Sequence, residues 1–263
     1  MRDKNLKNIS GYIFDLDGVI YKGEELIKGA IETLDLLKEL GKKYIFVTNN
    51  TIGTKKQYIN KLRNFGIFIE DEQILTVNEA TINFIKKSSP DKTKVQILGV
   101  GGILEDFKNS GLEITEENPD YVVVGWDTKL NYEKLYKSIK NVREGAKFIV
   151  TSPDKYVPSK RGLEPAPGTL AAPIEYATGI KPTYIGKPYP PMIDSALKKI
   201  GTKPKKTAIV GDTIESDILS KKYCGLGYSV LVLSGNTKKE QLAKINETEK
   251  PDLILDSIKD IFN

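Results

Sequence analysis

Asp15 and Asp17 close the apolar run Tyr12-Ile13-Phe14, and Gly18 follows them. Residues i and i+2 of a strand share a face. The two carboxylates can therefore face one small volume, unless the turn at Gly18 redirects the second. Two carboxylates in one place repel each other and are costly to desolvate. Such a pair calls for a cation, a shared proton or open water. The plain alternative is a surface Asp-Gly turn after a buried strand.

Three more polar clusters follow apolar runs. Thr48-Asn49-Asn50 ends the run 43–48, and Gly186-Lys187-Pro188 follows Tyr184-Ile185. Gly211-Asp212, with Asp217 a little further on, follows the run 207–210. In an open α/β sheet ligands bind at the carboxyl ends of the strands, so all four clusters can converge there. The chemistry they suit is phosphoryl transfer. Clustered carboxylates demand a hard divalent cation, and an all-oxygen ligand set favours magnesium. One carboxylate can then act as a nucleophile toward phosphorus. Thr48 can donate to a phosphate oxygen, and Lys187 can balance charge on the transferring group. Taken singly, each residue has an ordinary reading: Thr48 a helix cap, Lys187 a loop lysine, Asp212 and Asp217 partners of a helix dipole.

What is missing narrows the chemistry. The chain has no histidine, which removes histidine bases, Ser-His-Asp triads and the usual zinc sites. Cys224 is the only cysteine, so no internal disulfide forms. The sequence Gly99-Val100-Gly101-Gly102 has Leu104 where a dinucleotide loop needs glycine, and reads as a strand-to-helix turn. No G-x-x-x-x-G-K-[ST] loop is present.

The positioning elements alternate. Strands are expected at 12–15, 43–48, 74–77, 95–99, 121–124, 147–150, 184–185, 207–210, 229–233 and, at an edge, 253–255. Between them the apolar spacing predicts helices at 24–40, 54–65, 78–87, 103–109, 132–143, 170–178, 191–200 and 214–223, with a last one near Phe262. Such alternation implies parallel sheets of βαβ units. Residues 88–92 form a turn-rich break and candidate hinge. Residues 152–168, dense in proline and glycine, read as a long functional loop.

The clusters then take on a pattern. Asp15-Leu16-Asp17-Gly18-Val19, Thr48, Lys187, and Gly211-Asp212 with Asp217 resemble, in order, the four motifs of the haloacid dehalogenase (HAD) superfamily of phosphohydrolases. Thr48-Asn49-Asn50, Gly186-Lys187-Pro188 and the stretch 211–218 further resemble its NagD-like subgroup, which includes p-nitrophenylphosphatase-type enzymes. The resemblance implies an α/β fold, with a doubly wound Rossmann-like parallel-sheet core and an inserted α/β cap domain. The core falls at 1–86 and 183–263, the cap at 87–182.

It also implies roles. Asp15 attacks phosphorus and forms an aspartyl-phosphate; Asp17 protonates the leaving alcohol and then activates water. Thr48 holds the phosphate with amides near Asn49, and Lys187 steadies Asp15 and the transferring group. Mg2+ is held by the Asp15 carboxylate, the Asp17 carbonyl and Asp212, with Asp217 behind them. Thr213 stands where the subgroup often has arginine, and Ser152 where asparagine is common in the cap loop. Asp154, in the loop 151–158, is the candidate for substrate selection. Trp126 and Tyr156 are further candidates for substrate contact, and Trp126 is more simply a packing residue between domains.

The expected activity is Mg-dependent hydrolysis of small phosphomonoesters. Phosphotransfer or mutase chemistry in the same superfamily is the alternative, and a receiver-like signalling module is a more distant one. With 40 basic and 35 acidic residues among 263, the net charge is +5. The lysines are scattered among glutamates, as on a solvated surface, so no nucleic-acid partner is expected. No apolar run spans a membrane, and a cytoplasmic location is the default. The expected partners are a small phosphorylated metabolite and, by resemblance, a second copy bound through the cap.

Overall fold

The computed structural model describes residues 4–89, 92–159 and 161–262. Strand β1 (Gly11–Asp15) leads into a hairpin of β2 (Tyr21–Lys22) and β3 (Glu25–Leu26), then α1 (Ala30–Glu39), β4 (Lys43–Thr48), α2 (Lys55–Asn64), β5 (Ile74–Thr76) and α3 (Val77–Ser88). Next come β6 (Lys94–Leu98), α4 (Gly102–Lys108), β7 (Glu113–Ile114), β8 (Tyr121–Val124), α5 (Tyr132–Arg143) and β9 (Lys147–Val150). A second hairpin, β10 (Tyr156–Ser159) and β11 (Gly162–Pro165), precedes α6 (Pro167–Thr178) and β12 (Thr183–Tyr184). The chain ends with α7 (Pro190–Ile200), β13 (Thr207–Gly211), α8 (Leu219–Cys224), β14 (Tyr228–Val232) and β15 (Leu253–Leu255).

Two compact units result. The first comprises residues 1–48, 59–75 and 187–263; the second comprises 49–58 and 76–186. Relative to the expected division, the segments 49–58, 76–86 and 183–186 fall in the second unit. The hinge candidate includes Pro90 and Asp91, which lie outside the described residues.

The first unit is built on one sheet in the order β15-β14-β13-β1-β4-β5. The pairs β15/β14, β14/β13, β13/β1 and β1/β4 are parallel. Parallel strands are covered on both faces and so read as unbroken apolar runs. Strands β1, β13 and β14 do so: Tyr12, Ile13, Phe14, Ile209, Val210, Val230 and Leu231 are buried. Phe14 lies opposite Phe46 in the β1/β4 register, with ring centroids 6.2 Å apart. β1 sits between β4 and β13, so its last residue, Asp15, reaches the middle of one sheet edge.

The second unit carries its own sheet, β12-β9-β8-β6-β7. Its core packs Leu98, Val122, Val124, Phe148 and Val150 against Val142 of α5 and Ala171 and Ile174 of α6. Residues 49–58 belong here for a visible reason. The Gly102 amide donates to the Ile52 carbonyl at 2.5 Å, Ile103 to Thr51 at 2.9 Å, and the Trp126 amide to Thr51 Oγ1 at 3.1 Å. A Cβ at position 102 would lie 2.4 Å from the Gly53 carbonyl carbon, so only glycine allows this approach. Gly101-Gly102 is thus a strand-to-helix turn, as its spacing suggests.

Three expectations are corrected. The helix at 24–40 begins only at Ala30, because Tyr21–Lys22 pairs antiparallel with Glu25–Leu26 ahead of it. The loop 152–168 contains the hairpin β10/β11 and the start of α6. Pro158 and Pro165 fit this hairpin because a two-stranded ribbon has only edges, where a missing N–H is tolerated. The last helix near Phe262 is a single 3-10 turn at Ile258–Asp260. No described helix is long and apolar enough to cross a membrane.

Candidate active site

The first unit assembles four of the expected residues at one point. Lys187 Nζ lies 2.7 Å from Asp15 Oδ1 and 2.7 Å from Asp217 Oδ1. Its side chain is 2% exposed, so this ammonium is enclosed by its partners rather than by water. Asp217 Oδ2 accepts from the amides of Asp212 and Thr213, at 3.1 and 3.0 Å. Asp15, Asp212 and Asp217 each offer a carboxylate oxygen, and these oxygens lie within 4.8 Å of one another.

Local structure explains the convergence. Asp15 ends β1 and Asp212 follows β13, its neighbour in the sheet. Asp217 sits in a π-helical turn, Ile214–Ile218, that directs its carboxylate back toward the strand end. Single π turns of this kind often mark functional sites. Asp212 is held tightly: Oδ1 accepts from Thr213 Oγ1 at 3.2 Å and Oδ2 from the Asn236 amide at 2.5 Å. Gly18 and Gly235 form its walls, since a Cβ would stand 2.4 Å and 1.9 Å, respectively, from Asp212 Oδ2. The departure at Thr213 is thereby given a role, because this threonine braces Asp212. Residues 234–236 drew no attention in the sequence; a Gly-Asn pair just beyond strand β14 was the available signal.

Electrostatics follow from burial. Desolvation pushes Asp15 up to about 8, against the pull of Lys187, and the charges of Asp217 and Asp212 add to the rise. Asp212 is pushed up to about 6, first by burial and then by Asp217. For Lys187, burial favours the neutral amine, but the adjacent Asp15 and Asp217 outweigh it and hold the ammonium above its usual range. Once all three carboxyl groups are ionised, the single ammonium leaves an excess of two negative charges. All candidate donors are oxygen, and a hard divalent cation matches both the charge and the donor type. Asp217 gives both oxygens to Lys187 and to backbone amides. Among the described residues Asp217 thus accepts three bonds, against two for Asp212 and one from Lys187 for Asp15, so Asp15 and Asp212 are the carboxylates better suited to a cation, with Asp217 fixing them from behind.

The remaining candidates sit as follows. Thr48 is buried at the end of β4, one residue beyond Val47, the register partner of Asp15. Asp17 is exposed and stands outside the acidic group. Partial desolvation of its carboxyl raises its pKa, opposed by the ammonium of Lys61 and by the Gly23 amide. In the second unit Asn49 Nδ2 donates to Asp154 Oδ2 at 3.1 Å, so these two candidates pair with each other. Ser152 is buried there, and its hydroxyl has no hydrogen-bond partner among the described residues.

Known proteins are similar to this chain in sequence and fold. A family model described as haloacid dehalogenase-like hydrolase matches residues 12–113, and a second, HAD-hydrolase-like, matches 184–261. The 5'-nucleotidase YutF of Bacillus subtilis is 38% identical over 253 residues, covering 96% of this chain and 97% of that protein. The acid sugar phosphatase of Staphylococcus epidermidis is 38% identical over 216 residues, covering 82% and 83%. The solved 4-nitrophenylphosphatase of Thermotoga maritima aligns with a TM-score of 0.90 and 36% identity, over 98% of this chain and 97% of that one. Both matched segments contain the residues that meet at the acidic group, and the chain belongs to the haloacid dehalogenase-like hydrolases.

Proposed function

We propose that the protein is a Mg2+-dependent phosphatase that hydrolyses small soluble phosphomonoesters through an aspartyl-phosphate on Asp15. The observation that carries this reading is the buried Lys187 ammonium shared by Asp15 and Asp217 beside Asp212. An Asp15 oxygen attacks phosphorus as the bond to the leaving oxygen breaks. Asp17 gives that oxygen its proton, then takes one from the water that cleaves the acyl phosphate and restores the Asp15 carboxylate. Thr48, with the amide of Asn49, binds the phosphoryl oxygens, and Lys187 keeps Asp15 aligned while balancing charge. Asp15, Asp212 and the Asp17 carbonyl would hold Mg2+, which when bound supplies positive charge beside the nucleophile and the phosphoryl group.

The relatives are named as a nucleotidase and phosphatases, which favours hydrolysis over transfer to a sugar and over a receiver-like role. Nucleoside monophosphates and sugar phosphates are the substrate classes their names suggest. We assign the catalytic core to the first unit and a substrate-selecting cap to the second, with a homodimer through the cap as its assembly and the cytoplasm as its location.

The test is phosphate release across a panel of nucleotides, sugar phosphates and 4-nitrophenyl phosphate, with Mg2+ and with a strong chelator. Repeated turnover that needs Mg2+ supports the reading. A single phosphorylation event without release, or full activity in chelator, overturns it.

A further inference from the structure

Asp17, the general acid of the proposed reading, stands in the turn between β1 and the β2/β3 hairpin, and that hairpin is held by residues of α2 and just past its end. The turn after β1 closes through the Gly18 amide, which donates to the Tyr21 carbonyl at 2.7 Å, and through a bridge between Asp17 and Tyr21. The Ile27 amide donates to the Ile20 carbonyl at 3.0 Å, so the same turn is tied to the far side of the β2/β3 hairpin as well. Gly23 has φ +57°, a left-handed backbone that suits glycine. The backbone that carries Asp17 is therefore tied to Tyr21, the first residue of the hairpin.

A two-residue strand pair has little stability of its own, and α2 supplies the missing support. Phe65 lies one residue past α2, but its amide donates to the Lys61 carbonyl at 3.3 Å, so the two residues, four apart, share one face of that last turn. Phe65 packs on Tyr21 with ring centroids 5.7 Å apart. Lys61 Nζ lies 4.3 Å from the centre of the Tyr21 ring and 2.9 Å from Glu24 Oε1. One ammonium thus touches strand β2 at Tyr21 and the hairpin turn at Glu24, through a cation–π contact and an ion pair. Glu24 is 89% exposed, so its ion pair alone would contribute little. The Tyr21 contact is the stronger tether, because Tyr21 is 2% exposed.

We propose that Lys61 is a positioning residue for leaving-group protonation: by clamping Tyr21 and Glu24 it fixes the hairpin that orients Asp17. This rests on the reading of Asp17 as the general acid. Lys61 touches neither phosphate nor cation in this scheme. Its loss therefore misplaces the acid and removes a positive charge near it, without removing the nucleophile. Tyr21→Leu breaks the clamp from the hairpin side and leaves the ammonium in place, so Tyr21→Leu measured beside Lys61→Gln separates the two effects.

The test compares kcat/KM for an alkyl phosphate with kcat/KM for 4-nitrophenyl phosphate in wild type, Asp17→Asn, Lys61→Met and Lys61→Arg. kcat/KM covers events only through departure of the leaving group. 4-Nitrophenolate leaves without a proton, whereas an alkoxide needs one. General acid catalysis is worth about 10²–10⁴-fold, so Asp17→Asn should depress the alkyl substrate about 100-fold more than the aryl one. Lys61→Met should show the same selectivity at about tenfold, and Lys61→Arg should return the ratio to within about threefold of wild type. A lower fraction of folded enzyme cancels in this ratio, so poor stability of Lys61→Met does not spoil the result. Equal losses on both substrates in Lys61→Met, with selective loss in Asp17→Asn, overturn the role of Lys61 alone. Equal losses in Asp17→Asn overturn the general-acid reading and the proposal with it.

Discussion

Lys187 and Asp217 form an ion pair of 2.7 Å in which both side chains are essentially removed from water, 2% and 0% exposed. Breaking a buried pair from one side leaves a charge without compensation, at a cost of about 3–5 kcal/mol. Lys187→Met should therefore lower the free energy of unfolding in urea by about that amount. It should also cost at least about 100-fold in kcat, since Asp15 loses the same partner. A variant with wild-type stability would mean that the pair is not formed in solution.

Asp15→Asn keeps the volume of the side chain and removes the nucleophilic oxygen anion. Turnover should become undetectable, while substrate still protects the protein thermally. Labelling with 32P-phosphate from substrate should mark wild type and leave the variant blank. Substantial residual hydrolysis in the variant would remove Asp15 from its role.

Gly235→Ala places a methyl group 1.9 Å from Asp212 Oδ2. The methyl meets a carboxylate braced by Thr213 and Asn236, so the strain must be relieved by moving Asp212. A displacement of about 1 Å in such a site can cost about 100-fold in rate. We expect a loss of that order and a raised Mg2+ requirement in activity titrations. Unchanged Mg2+ dependence would show that Asp212 is not a ligand.

The acidic group also makes a pH prediction. Asp15 and Asp212 are raised to about 8 and about 6, above the unfolded carboxylate value. Between about pH 4 and pH 8 the metal-free folded state thus holds protons that the unfolded chain has released. Stability contributed by these groups is present below the unfolded pKa and is lost as pH rises through the folded one. In chelator, the melting temperature of wild type relative to Asp15→Asn should fall from pH 5 to pH 8. Added Mg2+ should raise the melting temperature more at pH 8 than at pH 5. A pH-independent difference between the two proteins would contradict the burial of Asp15.

Read alone, the sequence determined the alternation of strands and helices, the parallel character of the sheets and the main catalytic candidates. These are local properties: apolar runs such as Tyr12-Ile13-Phe14 suit only a doubly covered strand, and polar clusters at strand ends are visible by spacing. It missed the β2/β3 and β10/β11 hairpins, because strands of two to four residues carry too few side chains to show a period. Only the tertiary structure decided that Lys187 pairs with Asp217 as well as Asp15, that Gly18 and Gly235 wall in Asp212, and that Lys61 reaches Tyr21 and Glu24. Those contacts join residues that are distant along the chain, and their distances follow from sheet order and helix packing, which no single segment encodes.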